Sequence, residues 1–137
     1  MNLIKLKNLA QKAALKAGAF LNENKLKKKE VFKEEGRDIK LIIDQDAEKL
    51  IRSSLQEANI QVLGEELGGD LSLEKFWVID PIDGTANYFR GLDQCCISIA
   101  LMEGNESLIG VIYNFNTNEL YSAVKGKGAF LNNKPIS

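Results

Sequence analysis

Apolar residues near the start of the chain recur at steps of three and four positions. Between Leu3 and Leu21 they are Leu6, Leu9, Ala10, Ala13, Ala14, Ala17 and Phe20. This spacing places them on one side of a helix, and alanine, leucine and lysine all favour the helical state. The pattern predicts a first helix over residues 3–22.

A second run with the same spacing extends from Asp44 to Ala58, and it predicts a second helix. Asp44 lies near the N-terminus of that helix, where a carboxylate accepts hydrogen bonds from free backbone N–H groups and suits the helix dipole. Taken alone, Asp44 is therefore interpreted as an N-cap.

The remaining apolar runs are short and are separated by turn-forming residues. The stretch VFKEEGRDIKLII predicts two short strands around a turn at Gly36, and later strands are predicted at IQVLG, FWVID, CCISIALM, LIGVIYN, ELYSAV and GAFLN. The polar segments between the last four are typical of an antiparallel meander. The predicted fold class is α+β, with two helices packed on a largely antiparallel six-stranded sheet. Such a sheet would have an uncovered edge or face, so we expect further polypeptide to pack on it.

Composition narrows the classes of function. The 137 residues suffice for about one domain, and 18 basic against 19 acidic residues give a net charge of −1. This balance argues against binding to nucleic acid or to a membrane surface. No apolar stretch is long enough to span a bilayer, and the first residues do not resemble a signal peptide. The expected location is therefore the cytoplasm.

The absence of histidine restricts the chemistry further. Any metal must be held by oxygen ligands, which favours a hard cation such as Mg²⁺. The adjacent Cys95 and Cys96 are expected to pack as small apolar side chains and not to form a disulfide or a metal site.

The stretch WVIDPIDGTANYFRG, residues 77–91, carries the candidate chemistry. Asp80 is predicted at the carboxyl end of a strand, and Pro81 is expected to end the strand's hydrogen-bond ladder because it has no N–H. Ile82 can present its carbonyl oxygen, and Asp83 adds a second carboxylate. Gly84 permits a tight turn or a close approach to a ligand.

Residues that follow the aspartates suggest an anion site. If GTANYF opens a helical turn, the N–H groups of Gly84 and Thr85 point toward the same place as the carboxylates. Metal ligands beside such N–H groups are what Mg²⁺-assisted hydrolysis of a phosphate monoester requires. Glu65 and Glu66, directly after another predicted strand, are further candidates. The alternative is that these acidic residues only solvate loops.

Together these motifs resemble those of the inositol monophosphatase family, the lithium-sensitive Mg²⁺-dependent phosphatases. The resemblance rests on DQDAE in the second helix, on GEE followed by WVIDPIDGTANY, and on the meander that ends in KGKGAFLNN. It covers nearly the whole chain. It implies that residues 1–137 form the N-terminal, metal-binding α+β half of the family's αβαβα fold, and that the C-terminal α/β half is absent.

The resemblance also implies roles for individual residues. It implies metal ligands at Glu65, Asp80, the Ile82 carbonyl and Asp83, a phosphate cradle at Gly84 and Thr85, and catalytic roles for Glu65, Thr85 and Asp44. In this scheme Glu65 and the Thr85 hydroxyl orient the attacking water, and Asp44 is the acidic partner of that hydroxyl. Lithium would inhibit by occupying one of the Mg²⁺ positions.

Two departures from the family's pattern matter. The family often has a threonine three residues before the position of Asp44, and this chain has Leu41 there. The family's W-D-x-A-A-G segment, which supplies another aspartate ligand and contacts to the substrate, is absent from residues 1–137. Family members are about twice this length, beyond the size of one small domain. The isolated chain is therefore expected to be weakly active or inactive.

The predicted function is Mg²⁺-dependent hydrolysis of a small phosphorylated substrate, most simply inositol monophosphate. Bisphosphate nucleotidases of the family commonly follow DGT with KE and an aromatic residue, whereas this chain has Ala86, Asn87 and Tyr88. A 3′(2′),5′-bisphosphate nucleotidase, a fructose-1,6-bisphosphatase and a non-catalytic metal-binding fragment are the alternatives. The resemblance also suggests a homodimer, to which the apolar run 95–102 could contribute.

Overall fold

The first predicted helix is present at almost its expected length. The computed structural model describes residues 1–25, 31–35, 38–64 and 74–136, and helix α1 extends over Leu3–Asn24. The side chain of Asn2 caps it by accepting a hydrogen bond from the backbone N of Lys5, at 2.9 Å. The alanines and leucines of the predicted stripe are buried, so the pattern identified the face that packs on the rest of the fold.

A hairpin and a second helix follow. Strands β1 (Val31–Glu35) and β2 (Asp38–Leu41) pair antiparallel, and α2 (Ile42–Leu55) continues into a short 3₁₀ turn, Gln56–Ala58. Asp44 lies inside the first turn of α2, and its side chain is buried. The interpretation of Asp44 as an N-cap is therefore wrong, because α2 begins two residues earlier.

Among the described residues, the main sheet contains seven strands in sequence order. They are β3 (Gln61–Gly64), β4 (Lys75–Asp83), β5 (Cys96–Glu103), β6 (Glu106–Asn114), β7 (Glu119–Val124), β8 (Ala129–Leu131) and β9 (Lys134–Ile136). Strands β3 and β4 are parallel, and all other neighbours are antiparallel. A short helix, α3 (Thr85–Phe89), separates β4 from β5.

The predicted α+β class is confirmed, while the element count differs. In the part of the chain that the structure describes, the sheet has seven strands instead of six, and α3 is a third α-helix. The additional strand is β9, which contains Pro135 and was therefore not predicted as a strand. A proline is tolerated there because β9 pairs only with β8 and leaves its other edge unbonded within the described sheet.

The two faces of the sheet differ in what covers them. Helices α1 and α2 pack on the face that carries Trp77, Ile97, Ile99, Ile109 and Val111, and together these residues form the core. The opposite face carries the alternate residues of each strand, which point away from the helices. We call this the open face, and its side chains are those of Val78, Asp80, Cys96, Ser98, Ala100, Met102, Ile112, Tyr121 and Ala123, with Gly110 at its centre.

The division into a core face and an open face limits which residues could contact a partner. Ile97, Ile99 and Leu101 lie in the core, so only alternate residues of the apolar run 95–102 are available to a partner. The expected homodimer stays a prediction. None of the helices among the described residues combines the length and the apolar composition needed to cross a membrane.

At Gly18, helix α1 packs closely against the sheet. A Cβ atom built on Gly18 would lie 2.4 Å from Cε2 of Tyr113 on β6. Alanine normally stabilises a helix interior over glycine by about 1 kcal/mol. Here we expect Gly18→Ala to lower the free energy of unfolding by about 1–2 kcal/mol instead, because overpacking outweighs helix propensity.

Urea denaturation measures this change directly. In a Tyr113→Ala background the same Gly18→Ala substitution should cost less or become stabilising, since the side chain it meets is gone. An equal cost in both backgrounds would show that contact with Tyr113 is not the cause.

Candidate active site

A β-bulge in β4 arranges the two motif aspartates. Asp80 pairs with Ser98 and Asp83 pairs with Cys96, so two residues of β4, Pro81 and Ile82, lie opposite a single residue of β5. In a regular strand, residues three apart point to opposite faces. The extra residue in the bulge brings Asp80 and Asp83 to the same side, the open face.

The position of Pro81 differs from the prediction. Strand β4 continues to Asp83, so Pro81 does not end the ladder. It lies instead inside the bulge, one of the few places in a sheet where a residue without an N–H is tolerated. The side chain of Ile82 is buried against the core, which anchors the bulge from the helix-covered side.

Cys96 lies beside the second aspartate. Its Sγ atom is 4.0 Å from Oδ2 of Asp83, at the edge of hydrogen-bonding distance for sulfur. Partial burial, and then the carboxylates of Asp83 and Asp80, raise the pKa of the Cys96 thiol. Cys95 is buried in the core, where its Sγ accepts a hydrogen bond from Nδ2 of Asn116 at 3.4 Å. The expectation that both cysteines pack as small apolar side chains therefore misses the polar contact of each, with Asn116 for Cys95 and with Asp83 for Cys96.

Gly84 turns the chain from β4 into α3. Its φ of +96° lies in the left-handed region that favours glycine. A Cβ atom at this position would lie 2.6 Å from the carbonyl oxygen of Gln94, so space excludes other residues as well. The predicted helical turn is present, because the N of Tyr88 donates to the Gly84 carbonyl at 3.0 Å. Because α3 has only five residues, its helix dipole is small. An anion at its N-terminus would be bound mainly by hydrogen bonds from the backbone N–H groups.

The Thr85 hydroxyl connects α3 to α2 and to the bulge. Its Oγ1 lies 3.1 Å from Oδ1 of Asp44 and 3.0 Å from the carbonyl oxygen of Ile82. A hydroxyl has one proton, so it donates to one of these acceptors at a time and keeps lone pairs for a further donor. The structure thus brings Asp44, Ile82 and Thr85 together, although Asp44 and Thr85 are 41 residues apart.

Tyr88 is a supporting residue for which the sequence offered no structural interpretation. Its buried hydroxyl donates to the carbonyl oxygen of Leu21 in the last turns of α1, at 2.7 Å. Burial, followed by the charges of Cys95 and Asp44, raises the pKa of this phenol above its ordinary value. The bond ties α3 to α1. In the sequence, Tyr88 is simply a tyrosine within the predicted helical turn, and nothing there indicates a hydrogen bond to α1.

The donor set suits a hard cation as far as it is described. Asp80 and Asp83 are carboxylates on one face, and the carbonyl of Ile82 retains a lone pair beside its contact with Thr85. All of these donors are oxygen atoms, which Mg²⁺ prefers. Within the described ranges, no three acidic or cysteine side chains lie close enough to hold a metal by themselves. Glu65, the remaining predicted ligand, and Glu66 lie outside the described residues.

A separate polar cavity contains none of the predicted site residues. Its volume is about 580 Å³, and its lining includes Arg52, Gln56, Asn59 and Gln61, beside edge strand β3. Arg52 is held there by Glu48, whose carboxylate is buried, through a bond of 3.0 Å. The geometry of the motif therefore points to the end of β4 and not to this cavity.

Comparison with known proteins identifies the group to which this arrangement belongs. The model of the inositol monophosphatase family matches residues 2–137. The chain belongs to this family. Among curated relatives, the "Nus factor SuhB" of Xylella fastidiosa is 41% identical over 133 residues, which are 94% of this chain and 48% of that protein. The "Fructose-1,6-bisphosphatase/inositol-1-monophosphatase" of Aquifex aeolicus is 35% identical over 140 residues, covering 98% and 53%.

Solved structures of the inositol monophosphatase family agree with the fold. The extragenic suppressor protein suhB of Bartonella henselae superimposes with a TM-score of 0.88 at 32% identity, covering 96% of this chain and 52% of that one. The chain thus spans about half the length of the relatives that it matches. The resemblance drawn from the motifs is confirmed.

The contact between Thr85 and Asp44 allows a direct test. Thr85→Val keeps the shape of the side chain and removes the hydroxyl, so the buried Asp44 loses a donor. We expect the free energy of unfolding to fall by about 1–2 kcal/mol. Thr85→Ser, which keeps the hydroxyl, is the matched control and should cost less than about half of that. Urea unfolding measures both, and equal stability of the valine and wild-type proteins would contradict the assignment.

Proposed function

We propose that this chain supplies the metal-binding and water-orienting half of a Mg²⁺-dependent phosphatase that hydrolyses small phosphate monoesters. The observation that carries the proposal is the bulge, which brings Asp80 and Asp83 to one face beside the start of α3. Membership of the inositol monophosphatase family supports the same conclusion.

In this proposal Asp80, Asp83 and the Ile82 carbonyl hold the cation, together with Glu65. When bound, Mg²⁺ neutralises phosphate charge and makes a bound water more acidic. The backbone N–H groups of Gly84 and Thr85 bind phosphate oxygens and orient the ester for attack.

The contact between Thr85 and Asp44 supports a role in handling a proton. When Thr85 Oγ1 donates to Asp44 Oδ1, its lone pairs face outward to accept a hydrogen bond from a water molecule. The pair then fixes the direction of that water. As the water attacks, its proton passes to Thr85 Oγ1 while the Thr85 hydroxyl proton passes to Asp44 Oδ1, 3.1 Å away, so the Asp44 carboxylate is the final proton acceptor.

Inositol monophosphate is the proposed substrate. The sequence Ala86-Asn87-Tyr88 after the DGT motif favours it over a 3′(2′),5′-bisphosphate nucleotide. Fructose 1,6-bisphosphate is the second candidate, because one relative at 35% identity carries both names, fructose-1,6-bisphosphatase and inositol-1-monophosphatase. We further propose that lithium inhibits the whole protein, that the protein is a homodimer and that it is located in the cytoplasm.

A chimera tests the activity in a family-length protein. Residues 1–137 replace the matched segment of the Aquifex aeolicus relative, and phosphate release is measured with and without Mg²⁺. The substrates are inositol 1-phosphate, adenosine 3′,5′-bisphosphate and fructose 1,6-bisphosphate. We expect Mg²⁺-dependent release that lithium suppresses, fastest from inositol 1-phosphate, and little or no release by residues 1–137 alone.

Two results would decide against the proposal. A chimera that folds, as judged by its circular dichroism, and releases no phosphate from any substrate would favour a non-catalytic metal-binding fragment. Release that does not depend on a divalent cation would contradict the metal site. Preference for another substrate on the panel would correct only the substrate.

A further inference from the structure

A second cavity lies on the helix-covered side of the sheet, beside the first two turns of α1. Its volume is about 240 Å³. For comparison, an engineered apolar cavity of about 150 Å³ accepts a benzene molecule. The cavity is lined by residues of α1, of β7, of the turn after β7 and of β8: Ile4, Lys7, Ser122, Ala123, Val124, Lys127 and Phe130. None of the proposed catalytic or metal-binding residues lines it.

Strand pairing explains why apolar side chains surround this cavity. Ser122 pairs with Phe130 across β7 and β8, so the two side chains point to the same face, which Val124 shares two residues later. It is the face on which α1 packs, because Nε2 of Gln11 donates to the Ser122 hydroxyl at 3.1 Å. Val124 and Phe130 from the sheet and Ile4 from the helix are thus the apolar part of the lining.

The apolar part of the lining is incompletely covered. Ile4 is 44% exposed, and Phe130 is half-buried. An apolar group in the cavity would remove both side chains from water, which is the main source of affinity in small-molecule sites. The volume is that of one substituted ring or a short branched chain, and it is too small for a helix or a strand of a partner protein. The occupant that fits is therefore a small molecule.

Two lysines give the lining a positive charge. The backbone N of Lys127 donates to the carbonyl oxygen of Val124 at 2.8 Å, which closes the turn and keeps Lys127 beside the cavity. Within the described residues, neither Lys7 nor Lys127 forms an ion pair, whereas Lys125 of the same turn pairs with Glu106. The first turn of α1 contains no acidic residue that would offset this charge. The cavity therefore favours an anion over a neutral or cationic molecule.

We infer that this cavity binds a small carboxylate with an apolar body, whose ring or branched chain contacts Ile4, Val124 and Phe130 and whose charged group faces Lys7 and Lys127. The site is separate from the bulge in β4. The inference goes beyond the proposed function, because binding is measured directly and does not depend on phosphate release.

Three probes test the inference on ¹⁵N-labelled residues 1–137. Phenylacetate carries a ring and a carboxylate, phenylacetamide has the same shape without the charge, and acetate has the charge without the ring. We expect phenylacetate to cause saturable shifts of the amide signals of Ile4, Ser122, Val124 and Phe130. Phenylacetamide should bind about three- to ten-fold more weakly, and acetate should cause no saturable shift.

Removal of the two charges tests the role of the lysines. The double variant Lys7→Gln with Lys127→Gln should weaken phenylacetate binding by about three- to ten-fold and leave phenylacetamide binding unchanged. Lys12→Gln with Lys16→Gln is the matched control. It removes the same number of charges from exposed positions of α1 that do not line the cavity, so it should leave both affinities unchanged.

Filling the cavity tests its apolar part. Ile4→Trp places a larger side chain at an exposed position, so the ring can enter the cavity without displacing the core. We expect this variant to lose phenylacetate binding. The dispersion of the amide signals confirms that each variant is folded.

Four outcomes would overturn the inference. Absence of saturable shifts with phenylacetate would exclude the site, and saturable shifts confined to other residues would place it elsewhere. Equal binding of phenylacetate and phenylacetamide would show that the cavity does not select an anion. Equal weakening by the two double variants would assign the effect to the overall charge of the chain and not to Lys7 and Lys127.

Discussion

Phosphate release by the chimera should fall by about 100-fold or more when Asp83 is replaced by asparagine. Asparagine keeps the size of the side chain and can still accept a hydrogen bond through one oxygen. It removes the negative charge that the bulge places beside Asp80. Because a carboxylate binds a divalent cation more strongly than a neutral amide oxygen does, we expect the apparent affinity for Mg²⁺ to fall together with the rate.

Asp46→Asn serves as the control for this variant. Asp46 is an exposed residue of α2 and takes no part in the proposed site, so the same chemical change there should leave phosphate release unchanged. Initial rates over a range of Mg²⁺ concentrations separate loss of metal affinity from loss of turnover. Undiminished Mg²⁺-dependent release by the Asp83→Asn chimera would remove Asp83 from the site.

Gly84→Ala should cause the second large effect, through the backbone. A residue with a Cβ is strained at a φ of +96°, and the added atom would also lie 2.6 Å from the carbonyl oxygen of Gln94. We expect the free energy of unfolding to fall by about 2–4 kcal/mol, the sum of left-handed strain and overpacking. The start of α3 must also shift, so phosphate release by the chimera should be lost.

Gly91→Ala separates the two causes. Gly91 also has a positive φ, +76°, but a Cβ atom there would meet nothing within 4 Å. Its substitution should cost only the left-handed strain of about 1–2 kcal/mol. Urea denaturation compares the variants. Equal costs would mean that the contact with Gln94 contributes nothing, and a smaller cost at Gly84 would contradict the packing described for the turn.

The secondary structure followed from local patterns where those patterns are strong. The helical spacing of apolar residues predicted α1 within two residues of its end, and the alternation of short apolar runs with turns predicted the meander. Strand β9 was missed because Pro135 weakens a pattern only three residues long. Its pairing depends on β8, which a local pattern does not show.

The sequence indicated which residues to consider for the candidate site, and their roles stay predictions, whereas their arrangement in space could not be predicted. The motif indicated Asp80 and Asp83 as ligands, but their common orientation depends on a bulge that forms only against β5. The contact of Cys96 with Asp83 follows from the same pairing. For two adjacent cysteines in a strand, alternation alone indicates that one faces the core and the other does not. Alternation does not indicate, however, that Asp83 lies opposite Cys96.

At Asp44, tertiary structure overrides a local preference. A carboxylate near a helix start is usually explained by capping, but this one is buried and accepts from Thr85 across 41 residues of sequence. An acidic side chain buried in this way needs polar partners, and such partners are identified only once α2 and α3 are placed together.

The central claim is that the bulge in β4 creates a divalent-cation site between Asp80 and the start of α3. Titrating ¹⁵N-labelled residues 1–137 with Mn²⁺, a paramagnetic substitute for Mg²⁺, tests this claim directly even where binding is weak. The account predicts that amide signals of Asp83, Gly84, Thr85 and Cys96 broaden first and that excess Mg²⁺ restores them. Broadening that starts at other acidic positions, such as Glu106 or Glu119, while these signals stay sharp, would contradict it.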